Sequence, residues 1–137
     1  MQLFALFLVF LLSGVLGWSV ERTLFNNPCN KAFYRNHGIC LPFLPLWAVS
    51  GALLFLLFNV LQGQHILVMA LVAAAILTLL ECGVGKLSSR RLWNYTEYPL
   101  SFCDGYNCAG VSAGWFAVAA VVFVVFGALK KYLPHSI

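Results

Sequence analysis

The sequence predicts an all-α polytopic membrane protein: four transmembrane helices in a compact bundle, with two long loops on one face. Three observations carry this. Of the 137 residues, 62% are hydrophobic and 9% charged, whereas soluble domains run near about 45–50% and about 25%. Four apolar stretches have the roughly 17–25 residues that a bilayer crossing needs. One of the three connections between them is only about 62–65, and the other two are long. The whole chain, 1–137, reads as a single four-helix membrane domain with helices near 3–20, 41–61, 66–85 and 109–129.

The first stretch, Leu3–Val20, ends on Glu21. A cleaved signal peptide is the competing reading, but the run is long and no Lys or Arg precedes it. The second, Leu41–Leu61, carries Pro42 and Pro45 at its start. The third, Ile66–Gly85, holds Glu81 where the uncharged run Ile66–Leu80 stops, and Cys82-Gly83-Val84-Gly85 then reads as a Gly-rich turn. The fourth, Ala109–Leu129, is closed by Lys130-Lys131.

Four spans put both long loops, Glu21–Cys40 and Lys86–Cys108, on one face. Six of the eight basic residues lie in them (Arg22, Lys31, Arg35, Lys86, Arg90, Arg91), and only Lys130 and Lys131 lie elsewhere. The positive-inside rule then places the long loops in the cytoplasm. Cysteine usage pulls the other way. Cys29 and Cys40 share one loop, Cys103 and Cys108 the other, and Cys82 lies near the end of the third helix. Paired within or between loops, the four loop cysteines would need an oxidising compartment, as would use of the sequon Asn94-Tyr95-Thr96. The charge bias is given more weight, so the loop cysteines are expected to be reduced.

Small residues recur at four-residue spacing: Ser13 and Gly17, Ala70 and Ala74, Gly110 and Gly114, Ala113 and Ala117. They let helix backbones approach where no hydrophobic drive separates helix from lipid. Packing inside the bundle accounts for them, and a homodimer or other homo-oligomer is a further expectation. Glu21 and Glu81 are 60 residues apart and close corresponding helices. Two helical hairpins related by an axis along the membrane normal would give that pattern.

Ionisable groups at membrane depth are costly and usually paired, which makes Glu21 and Glu81 the first candidate site residues. The alternative is a carboxylate solvated at the headgroup boundary. Loops as long as these without function are uncommon. They mix aromatic, amide and basic side chains, as in Arg35-Asn36 and Trp93-Asn94-Tyr95. Two arrangements fit: an interfacial cap on anionic lipid, or partial re-entry with backbone groups satisfied inside the bundle. Re-entry would bring Asn36, Gly38, Asn94 and Asp104 to the two glutamates. The expected pathway residues are Glu21, Arg35, Asn36, Glu81, Trp93, Asn94, Tyr95 and Asp104, at one mouth of the bundle.

Gly17-Trp18-x2-Glu21, Asn36-x-Gly38-x3-Pro42-x2-Pro45, Glu81 and Trp93-Asn94-Tyr95-Thr96-x2-Pro99 follow one another in this order. Together they resemble the CmpB-like family of small membrane proteins, labelled ABC-transporter type IV, over nearly the whole chain. The chain departs at His37, where that family has Arg, at Leu41 for Gly, at Leu46-Trp47 for Ile-Tyr, and at Asn94 for Asp. The resemblance implies the membrane fold and a permease-like role, and names no substrate.

The sequence lacks the phosphate loop of a soluble ATPase, the His-Glu-x2-His zinc motif and the nucleophile elbow. It has no C-x2-C pair of metal-site type. No catalytic residue, cofactor or metal is therefore expected, and membrane flanks explain the net charge of +4 without nucleic acid. Three functions remain: a permease or transporter component, a non-transporting assembly or lipid-sensing subunit, and a four-helix thiol redox enzyme. The expected partners are membrane lipids, further copies of the chain and other transporter subunits.

Overall fold

The computed structural model describes residues 2–23, 43–87, 93 and 95–132. Among them are four helices: α1 (Gln2–Thr23), α2 (Phe43–Val60), α3 (Ile66–Leu87) and α4 (Ala109–Tyr132). Each sits on one of the apolar stretches, because a backbone in hydrocarbon must satisfy its polar groups internally. α1, α3 and α4 are long and apolar enough to cross a membrane. The second element is described from Phe43, its expected start at 41 lying outside the described residues, and it ends at Val60, one residue before the expected end. Its 18 residues span about 27 Å at 1.5 Å per residue, and its apolar part starts at Pro45.

Helix neighbours are fixed by close approaches that need glycine. A Cβ at Gly17 would collide with the Trp47 ring, and one at Gly51 would collide with the Ser13 side chain. The pairs 13/51 and 17/47 run in opposite senses, so α1 and α2 are antiparallel. At the far end of α4, the Lys130 ammonium donates to Gln62 Oε1 in the α2–α3 turn. α4 therefore runs antiparallel to α3 as well. The α1–α2 and α3–α4 connections thus leave the bundle from one face, and the short turn after α2 lies on the other.

The core joins α2, α3 and α4. α3 contributes small residues, Ala70, Ala73 and Ala74, which are buried with Met69 and Leu77 against Leu54 and Phe58 of α2 and Trp115, Ala119 and Phe123 of α4. Large rings fill the space that the alanines leave. Trp47 meets Trp115 at a centroid distance of 5.0 Å, and Phe58 meets Phe126 at 5.5 Å and Phe123 at 6.1 Å. Such pairs contribute about 0.5–1.5 kcal/mol each beyond the area they bury. α1 packs along α2 and turns Leu3, Phe4, Phe7, Leu11 and Leu12 outward, an apolar face suited to acyl chains.

Cys82-Gly83-Val84-Gly85 is not a turn. α3 continues through it to Leu87, which sets Glu81 inside the helix. Glycine in a helix interior costs roughly 1 kcal/mol relative to Ala. At Gly85 that cost has a use, because a Cβ there would come within 2.5 Å of the Tyr106 ring. Tyr106 belongs to a hairpin that the all-α expectation did not include. Strands β1 (Ser101–Phe102) and β2 (Asn107–Cys108) pair antiparallel, with Ser101 opposite Cys108 and Phe102 opposite Asn107. Cys103, Asp104 and Gly105 turn the chain with positive φ of 53°, 59° and 81°. β2 leads directly into α4.

Candidate functional site

The buried stripe of α3 runs Ala70, Ala73 and Ala74, Leu77, Glu81 and Gly85, three or four residues apart, as one helix face requires. Glu81 thus takes an apolar-face position, and only 3% of its surface is exposed. A buried carboxylate must be hydrogen-bonded, and three elements supply donors. Asn107 of β2 donates its amide Nδ2 to Glu81 Oε2 at 2.9 Å. Trp115 of α4 donates its indole N–H to the same oxygen, also at 2.9 Å. The Tyr95 hydroxyl, on the segment before the hairpin, donates to Oε1 over a longer 3.5 Å.

Asn107 is fully buried and is the hub of this network. Its Oδ1 accepts from the Cys108 backbone N–H at 2.7 Å and from the Ser112 hydroxyl at 3.2 Å. Thr78 in turn donates to Ser112 Oγ at 3.1 Å. The result is a polar path Thr78–Ser112–Asn107–Glu81 between α3 and α4. Its outer end, Thr78 and Ser112, lines an open hollow of about 390 Å³ with Leu71, Ala74, Ala75, Ala113 and Phe116.

Trp93 closes the mouth. It is 1% exposed, packs with Leu46 at the start of α2, and donates its indole N–H to the Tyr106 carbonyl at 2.7 Å. The Tyr95 N–H donates to the Gly105 carbonyl at 2.8 Å, so the segment before the hairpin is tied to the hairpin tip. A disulfide between Cys82 and Cys103 ties that tip to α3, one residue from Glu81, with Cα atoms 5.8 Å apart. This corrects the expectation of a reduced thiol at Cys103, while Cys29 and Cys40 lie outside the described residues. It also corrects the partner choice, because Cys103 bonds the helix cysteine while Cys108 is free and buried. The reason is the hairpin. Cys103 opens its turn, over α3, whereas Cys108 ends β2 and faces inward.

A family model described as Putative ABC-transporter type IV matches residues 8–135. The chain belongs to that family. No curated protein and no solved structure matches the chain. In this family member the matched region covers α1 from residue 8 onward, all of α2, α3 and α4, and the whole Glu81 network.

Of the residues expected in the site, Glu81, Trp93 and Tyr95 come together. Asp104 does not join them. It sits on the hairpin tip, 3.3 Å from the Lys86 ammonium, with both side chains well exposed, a setting in which an ion pair contributes little. Glu21 ends α1, but its side chain lies outside the described residues, as do Arg35, Asn36 and Asn94. Asn107, Ser112, Thr78 and Trp115 were not anticipated. The signal for Trp115 was present, because an indole N–H on an apolar helix needs an acceptor. Asn107 gave no such signal, since its burial depends on the hairpin. Among the described residues, no group of three or more His, Cys, Asp or Glu side chains could hold a metal ion.

Proposed function

We propose that this protein is a small permease component in which Glu81 is the acceptor for a proton or a cation at one mouth of the bundle. The hydrogen-bonded path from the Thr78–Ser112 hollow to the buried Glu81 carboxylate carries this reading. A buried carboxylate is an expensive group to keep on a helix face that Leu or Ala would fill. Here it is held by N–H and O–H donors from the segment before the hairpin, from β2 and from α4. Asn107 and Trp115 donate to Oε2 and Tyr95 donates to Oε1, so both carboxylate oxygens are held in place for a proton or a cation.

The test uses the purified chain reconstituted in vesicles with a pH-sensitive dye inside and an imposed pH gradient. The wild-type chain should dissipate the gradient faster than empty vesicles. Glu81→Gln, which keeps the shape and removes the charge, should slow it about tenfold or more while leaving the melting temperature near wild type. Equal decay for wild type and Glu81→Gln would remove the permease reading and favour an assembly or lipid-sensing subunit.

The orientation proposed is the reverse of the one that charge alone suggests. The Cys82–Cys103 disulfide supports placing the hairpin face on an oxidising side of the membrane. The six basic residues of the two long loops favour the cytoplasm for that face, but a covalent bond beside the site is the more direct observation. A cysteine introduced at Gln64, in the short turn on the opposite face, should then resist a membrane-impermeant maleimide in intact cells. Ready labelling there would return the hairpin to the cytoplasm.

A further inference from the structure

The opposite mouth of the bundle holds a second built feature. The turn joining α2 to α3 and the end of α4 enclose an open cup of about 350 Å³, within the range of small-molecule sites. Its floor is apolar and buried: Phe58 from α2, Met69 from α3 and Phe123 from α4. Its rim is polar: Gln62 and Gln64 from the turn, and Lys130 from α4. Lys130 is held there by its 2.6 Å hydrogen bond to Gln62 Oε1. Gly63, at φ +91°, turns the chain without a side chain over the opening.

Charge points to the occupant. All four acidic residues, Glu21, Glu81, Glu97 and Asp104, lie at or beyond the other ends of the helices. The cup end has Lys130 and Lys131 and no acidic side chain on its helices or turn, so its charged side chains are all basic. The cup also lies at the ends of α2, α3 and α4, the depth at which lipid headgroups meet acyl chains. Basic pockets between membrane helices at that depth suit anionic headgroups.

We infer that this cup binds an anionic phospholipid, with its phosphate on the Lys130 ammonium and the Gln62 amide, and one acyl chain over Phe58, Met69 and Phe123. The two halves of the site demand the two halves of the ligand. A soluble phosphate brings no apolar group to the cup. A zwitterionic lipid brings no net charge to the positive end. Binding to the folded chain then raises its stability by mass action.

The experiment is thermal unfolding of the purified, delipidated chain in a neutral maltoside detergent. Phosphatidylglycerol, phosphatidylcholine and glycerol 3-phosphate are titrated in separately, against wild type, Lys130→Gln and Lys131→Gln. Only phosphatidylglycerol should raise the wild-type melting temperature in a saturable way. Lys130→Gln should weaken the apparent affinity on the order of tenfold, the scale of one charge-assisted contact. Lys131→Gln should retain most of the response. Native mass spectra should show one tightly retained phosphatidylglycerol on wild type and none on Lys130→Gln. Equal stabilisation by phosphatidylcholine overturns the proposal, as does equal stabilisation by glycerol 3-phosphate. An equal loss in both lysine variants also overturns it, because that reports diffuse charge and not a site.

Discussion

The two mouths of the bundle are built on opposite principles. At the Glu81 mouth, a hairpin, a disulfide and two tryptophans close over a carboxylate, and Asn107, Trp115 and Tyr95 direct donors inward. At the Lys130 mouth a short turn leaves an apolar floor open, and the polar groups stand on the rim. A charge can be kept inside only where rigid neighbours satisfy it. A charge on the rim remains hydrated and free to meet a ligand. The closed mouth is therefore where a substitution should cost folding energy, and the open mouth is where it should cost binding.

That contrast can be broken most sharply at Asn107. Asn107→Leu removes one donor from Glu81 and leaves the Cys108 N–H and the Ser112 hydroxyl without their acceptor. Unsatisfied buried groups cost about 1–3 kcal/mol each, and more for a charged one. We expect a loss of roughly 4 kcal/mol in chemical unfolding, by summing those contributions. A loss below about 1 kcal/mol would show that the network is not tight.

Cys103→Ser comes next. It opens a loop closed over a sequence separation of 21, and the chain-entropy model assigns about 3 kcal/mol to a bridge of that span. Reductant should lower the melting temperature of the wild type by more than that of the variant. The smallest effect is expected at the open mouth. In lipid-free detergent Lys130→Gln should shift unfolding by no more than about 0.5 kcal/mol, the usual limit for a surface substitution. A large loss there would mean that the rim contact is structural, and the distinction between the two mouths would fail.

Only the face of Glu81 that the hairpin covers separates it from an ordinary helix-end carboxylate. The sequence places the third span at 66–85, with Glu81 where its uncharged run Ile66–Leu80 stops and with the glycines as a turn. In the fold, Gly83 and Gly85 stay helical because Tyr106 packs on Gly85. That contact joins residues far apart in sequence and has no local signature. Trp93 and Tyr95 were legible as site residues because their long loop mixes aromatic, amide and basic groups, as an interfacial cap or a re-entrant segment would. Asp104 had the right chemistry for the site but lies on the exposed side of the hairpin turn, beside Lys86.

The sequence by itself determined the class: four helices, their order, the short second connection and the membrane-spanning length of three of them. Apolar composition and run length decide these, because a backbone in hydrocarbon has no other way to satisfy its hydrogen bonds. It also singled out Glu81, since a lone acid in an apolar run is conspicuous. Only the tertiary structure decided what Glu81 touches, which cysteines pair and which mouth is closed. Those depend on where a short hairpin lands on α3, and its landing is fixed by a glycine face, a ring and a sulfur bond that meet only in the packed fold.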